Sequence, residues 1–166
     1  MRTFRNVGGL EVRRSGKQSG AGYNPVGMAT PTSLAELAKR GEFAPLVSKS
    51  SVIEYVTVSS AVTKQPGGVL LPQDSKGVFS RREGKAAVYV NWRSSTKQKI
   101  GYMLRLFTAD NKMISASKPQ EIALVPGRYA ATNWELPVGI MSPGIYRVDL
   151  LIDDRTSWRE FFRVTE

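Results

Sequence analysis

From about residue 48 onward the apolar positions recur every second residue and are rich in Val, Ile, Tyr, Phe and Trp. That is the period of a half-buried strand, not of a helix. Residues 52–62 form the first such run. Residues 86–92 set Val88, Val90 and Trp92 against Ala87, Tyr89 and Asn91, and residues 100–108 set Ile100, Tyr102, Leu104 and Leu106 against Gly101, Met103, Arg105 and Phe107. Further strands are expected over 113–117, 121–125, 129–136, 145–152 and 158–164, with a short one at Val78-Phe79. Turn chemistry separates them. Pro66-Gly67-Gly68 and Pro72-Gln73-Asp74 read as one loop, and Asp110-Asn111-Lys112, Pro126-Gly127 and Asp153-Asp154-Arg155 as turns.

The first 47 residues read differently. Glycines at 8, 9, 16, 20, 22 and 27 with Pro25 break any period, and apolar residues come singly, as at Phe4, Val7, Leu10 and Tyr23. This implies an extended, irregular arm that cannot bury enough surface to order itself. One short helix is expected near 34–41: Ser33 and Glu36 make a capping-box pattern, Leu34, Leu37 and Ala38 share a face, and Gly41 suits the end. The division is then 1–47 arm and 48–166 folded domain.

Between seven and nine short strands with these turns imply two packed sheets, an all-β fold. The order of features resembles a recurrent bacterial immunoglobulin-like module over about 52–164. The resemblance rests on a Val-rich opening strand, a strand ending in Trp92, the charged turn at Asp110-Asn111-Lys112, Leu136-Pro137, and the run Pro143-Gly144-Ile145-Tyr146-Arg147-Val148. The closing Trp158-Arg159-Glu160-Phe161-Phe162-Arg163-Val164 completes it. It implies an immunoglobulin-like antiparallel β-sandwich and names no activity, since such folds host many functions.

Composition narrows the chemistry. The chain has 166 residues, no Cys and no His. Ser-His-Asp and Cys-His catalysis are therefore absent, as are the usual zinc, copper and non-haem iron ligand sets. A phosphate loop fails at Gly16-Lys17-Gln18, where a Ser or Thr must follow the Lys. Asp153-Asp154 is the only adjacent acidic pair and sits where a hairpin turns. No cofactor or metal is expected, and the chain is read as not an enzyme.

Net charge is +10, which points to an anionic partner. Residues 1–50 hold eight basic side chains against three acidic ones, so positive density concentrates in the arm. The candidate partner-binding residues are Arg2, Phe4, Arg5, Arg13, Arg14, Lys17 and Tyr23. Arg forks suit phosphate oxygens, and neighbouring glycines let a backbone approach; the same cations suit acidic protein surfaces. Few aromatics accompany them, which ranks nucleic acid below protein and anionic lipid headgroups. The edge charges Arg81, Arg82, Lys85, Lys97 and Lys99 read as guards against stray sheet pairing.

The sequence therefore leads to an expectation of a non-catalytic accessory subunit of a larger assembly, docking through the domain and the arm. The alternative is a module that binds nucleic acid or another anionic surface through the arm. No signal peptide or transmembrane span is read, and the expected location is cytoplasmic, at the inner face of a membrane if the assembly is a membrane complex.

Overall fold

A computed structural model describes residues 2–5, 11–14 and 52–166. The helix expected near 34–41, and Lys17 and Tyr23, lie outside the described residues. Among those described there is no α-helix, and the fold is all-β.

The arm departs from the irregular reading where it is described. Arg2–Arg5 (β1) and Glu11–Arg14 (β2) pair antiparallel, with Arg2 opposite Arg14, Phe4 opposite Val12 and Arg5 opposite Glu11. The signal was present: Thr3, Phe4 and Val12 have strand propensity, and Gly8-Gly9 lies between the two segments.

The remaining strands are β3 (Ile53–Lys64), β4 (Leu70–Ser75), β5 (Val78–Ser80), β6 (Ala86–Trp92), β7 (Gln98–Thr108), β8 (Met113–Ala116), β9 (Gln120–Leu124), β10 (Ala130–Leu136), β11 (Gly144–Ile152) and β12 (Arg155–Thr165). One sheet runs β10-β6-β3-β4; the larger runs β5-β12-β11-β7-β8, with β9 also paired to β7. The larger sheet is mixed, because β5 runs parallel to β12 through Val78–Ser80. That corrects a purely antiparallel expectation.

β4 is the strand that the sequence reading took for loop. Its Pro72 lacks a backbone donor, which an edge strand tolerates, and β4 is the edge of the smaller sheet. The turn before it has Pro66 at the first corner and Gly67 at φ +85°, with the Gly68 N–H bonded to the Gln65 carbonyl at 3.0 Å, as a type II turn requires. Asp153 and Asp154 close the β11–β12 hairpin in two residues, both left-handed (φ 47° and 62°). Short polar side chains adopt that conformation more readily than others.

The two sheets share one core. Val56, Val58, Val88, Val90 and Trp92 of the smaller sheet meet Leu104, Leu106, Val148, Leu150 and Phe162 of the larger. The Trp92 ring packs tilted against that of Tyr102, with centroids 4.9 Å apart, and its indole N–H donates to the Thr132 hydroxyl at 2.9 Å. Trp134 and Trp158 pack against the same core from its margin.

Candidate functional site

Each sheet has a second face, turned away from the core, and these faces carry the features that the core does not explain. Alternation along a strand fixes which residues they are.

On the smaller sheet, Tyr89 projects outward between the inward Val88 and Val90, with Asn133 and Thr57 opposite it in register. Its hydroxyl donates to the Leu70 carbonyl at 3.1 Å. The Tyr129 hydroxyl lies within hydrogen-bond reach of the same carbonyl and of the Tyr89 hydroxyl, so that two phenol protons serve three contacts. Leu70 pairs with Lys64, seven residues along β3 from the position opposite Tyr89. The β3–β4 ribbon therefore curls back over the outer face. Tyr89 is 1% exposed as a result, and burial pushes its hydroxyl pKa well above the ordinary range. Around it Tyr55, Leu71 and Tyr129 remain 38%, 39% and 45% exposed, and the Tyr55 ring lies 5.7 Å from that of Tyr89. A partly exposed cluster of aromatic and aliphatic side chains, fixed by hydroxyls that share one carbonyl, is a rigid contact surface.

On the larger sheet, the outward residues of β11 are Ile145, Arg147, Asp149 and Leu151. Cross-strand register places Phe161 and Phe107 beside Arg147, and Arg159 and Arg105 beside Asp149. The Arg147 Nε lies 3.1 Å from Asp149 Oδ1, and Arg159 holds both Asp149 oxygens, at 2.9 Å and 3.3 Å. The Arg147 guanidinium sits 4.2 Å from the centre of the Phe107 ring. Arg147, Arg159 and Phe161 hold further interactions besides these. Beyond Leu151 a cavity of about 470 Å³ opens over Gly101, Met103 and Leu151, with Glu121, Asp153 and Asp154 also among its lining residues.

Asp74 and Glu83 share one cation. Lys76 bridges Asp74 at 2.9 Å and Glu83 at 2.8 Å, and its hydrogen bonds hold both below the ordinary carboxylate range. Among the described residues no group of three or more His, Cys, Asp or Glu is placed to hold a metal ion, and no helix is long and apolar enough to cross a membrane.

Among the described residues, Glu160 is the carboxylate on the inward side of its strand. It lies opposite Val148, between Trp158 and Phe162 on the core side of β12. Burial raises its pKa, opposed by N–H groups of Trp158 and Phe161, each at 3.4 Å. A folded pKa above the unfolded value means the native state binds the proton more tightly. The resulting stabilisation is complete below the ordinary value of 4.5 and is lost as pH rises through the raised folded value. Urea midpoints across that range should therefore fall with rising pH. Glu160→Gln should flatten the fall and leave the protein more stable at neutral pH than the parent.

Of the sequence-derived site residues, Arg2, Phe4, Arg5, Arg13 and Arg14 come together on the β1–β2 ribbon. The tyrosine and arginine faces were missed. Their signal was weak: Tyr89 sat in a correct strand without a known neighbour, and Ile145, Arg147, Asp149 and Leu151 form a face that is apolar at both ends and oppositely charged in the middle.

No protein-family model matches the sequence, and no curated protein matches it. Similar solved structures include the Pseudomonas fluorescens alkylpurine DNA glycosylase AlkC bound to DNA containing an abasic site analog. It is 15% identical over 71% of this chain and 31% of that one, with TM-score 0.48. A β-glucosidase from Listeria innocua in complex with isofagomine is 14% identical over 70% of this chain and 16% of that one, at 0.41. One from Kluyveromyces marxianus is 13% identical over 68% and 14%, at 0.39. The chain thus spans under a third of the glycosylase and a smaller part of each glucosidase, and likenesses this distant assign neither fold nor activity.

Proposed function

We propose that this chain is a non-catalytic accessory subunit of a larger protein assembly, and that its two layers form an immunoglobulin-like β-sandwich. The fold reading is supported by the buried Trp92 at a strand end and by Tyr146, whose hydroxyl donates to the Ser142 carbonyl four residues upstream at 2.6 Å. A tyrosine tied back in this way is a corner device of such sandwiches.

The observation that carries the functional reading is the cluster of Tyr55, Leu71 and Tyr129 around the fixed hydroxyl of Tyr89. Tyrosines give large contact area at low entropic cost and are enriched where proteins dock. The β1–β2 ribbon adds Arg2, Arg5, Arg13 and Arg14 as a second contact, suited to acidic protein surfaces or anionic lipid headgroups. Those four arginines within eight strand residues also favour the second reading, a nucleic-acid or other anionic-surface binder.

The test is capture of tagged full-length chain from its own cells, with membrane and soluble fractions kept apart, beside Tyr55→Ser/Leu71→Ser. Tyr129 is left intact because its hydroxyl holds Leu70. The proposal expects one defined set of proteins with the parent, recovered at least about tenfold less with the double variant, as loss of interface anchors implies. Nucleic acid recovered without protein would support the second reading, and equal recovery by both forms would contradict the tyrosine face.

A further inference from the structure

β7 is an interior strand, with β11 on one side and β8 and β9 on the other, and a glycine inside such a strand weakens it. Gly101 is one. Its backbone is not left-handed, and its pairing with Glu121 runs in unbroken register, so neither a turn nor a bulge calls for it. No close neighbour does either. Among the described residues, the atom nearest to a Cβ placed there is Asp153 Oδ1, at an ordinary 3.6 Å. What the missing side chain leaves is room: Gly101 lines the cavity of about 470 Å³, a volume within the range of small-molecule sites. A strand glycine of this kind marks the approach of a ligand.

The lining is held from three sides. Met103 and Leu151 are opposite each other in register and make an apolar end. Glu121 stands opposite Gly101 on β9. The β11–β12 turn brings Asp153 to β7, where its backbone N–H donates to the Gly101 carbonyl at 3.3 Å, and Asp154 follows it in the turn. These carboxylates differ from most others in this cation-rich chain. Glu54, Asp74, Glu83, Glu135, Asp149 and Glu166 each hold a Lys or Arg within an ion pair. Among the described residues, Glu121, Asp153 and Asp154 hold none, and no Lys or Arg lines the cavity.

We propose that this cavity binds an organic cation carried on an aliphatic stem. That chemistry is shared by the lysine or arginine side chain of a partner polypeptide and by a free alkyl amine. The stem lies along Met103 and Leu151, as long basic side chains do on apolar surface, and the head meets Glu121 and Asp153 in charge-assisted hydrogen bonds. A metal ion fits less well. Among the described residues no three acidic groups are placed to hold one, and the apolar end offers it no oxygen. The tyrosine face lies on the other sheet, so this site stands or falls apart from it.

Titration of the isotope-labelled full chain at low salt with N-acetyl-lysine methylamide, and separately with cadaverine, tests this by amide NMR shifts. Saturable shifts are expected at Gly101, Met103, Glu121 and Asp153, with a dissociation constant of about 1 mM, as suits so small a ligand. Tighter binding of the capped lysine assigns the site to a polypeptide side chain, and tighter binding of cadaverine to a free amine. Glu121→Gln/Asp153→Asn should weaken either at least about tenfold by removing the charge assistance. Asn adopts the left-handed turn as Asp does, so amides away from the cavity should keep their shifts. Gly101→Leu, which fills the cavity and keeps every charge, should abolish binding. No localised shift with either amine, equal shifts with uncharged N-acetyl-norleucine methylamide, or binding that these variants leave unchanged would overturn the proposal.

Discussion

Asp149→Ala should lower the stability of the full chain by about 3–5 kcal/mol, the usual consequence of removing one partner from a buried ion pair. The side chains of Arg147 and Asp149 are 6% and 5% exposed, and Arg159 also holds Asp149 through two contacts. Alanine would leave the Arg147 charge in place without the carboxylate that compensates it. The cost should arise from the buried cation left behind and not from the lost attraction, because forming the pair already requires stripping water from both charges. The double variant Arg147→Met/Asp149→Leu separates these contributions. It should recover most of the loss, since apolar residues of similar size often replace a buried pair at little cost. Equilibrium urea unfolding of the two variants beside the parent measures both. Equal destabilisation by single and double changes would show that shape, not charge, governs this face.

Phe162→Ala should have a comparable effect, about 3–5 kcal/mol, by a different route. Phe162 is fully buried and meets Phe79 edge-on at 6.0 Å and Tyr146 in a stacked arrangement at 5.5 Å. Truncation removes apolar surface and leaves a cavity between rings carried by β5, β11 and β12. β11 and β12 are held to each other by a long ladder and cannot collapse into the space. The unfolding midpoint should fall while its denaturant slope stays the same, the sign of lost packing in an unchanged two-state transition. A change in the slope would instead mean that β5, held by three register pairs, had detached.

Much of the fold was legible because alternation and turn residues are local. Trp92 ends its strand as the pattern required, and Asp110-Asn111 and Asp153-Asp154 turn where short polar residues adopt positive φ. β4 was lost because Pro72 and Gln73-Asp74 are loop residues by composition. Only its place at a sheet edge, a tertiary fact, makes the proline acceptable. The parallel pairing of β5 with β12 joins residues about 85 positions apart in sequence, and no local signal announces it.

The candidate surfaces were less legible for the same reason. Arg2, Arg5, Arg13 and Arg14 could be named from charge density, and their register puts them on one ribbon. Tyr89 and Tyr129 are forty residues apart and meet only because β10 lies beside β6 and the hairpin tip returns to give both the Leu70 carbonyl. Arg147 and Asp149 look like ordinary solvent-facing charges until burial shows that their face is closed.

Docking of the tyrosine face on protein is tested most directly by the dissociation constant for the recovered partner as salt is raised. Between about 50 and 200 mM salt, a binder that neutralises several phosphates loses roughly a thousandfold or more in affinity. Less than about a tenfold loss is expected over that range for the full-length chain, because aromatic burial is little screened by salt, together with a large loss for Tyr55→Ser/Leu71→Ser at any salt. A steep salt dependence that the double variant leaves unchanged would contradict it and assign the binding to the arginine ribbon.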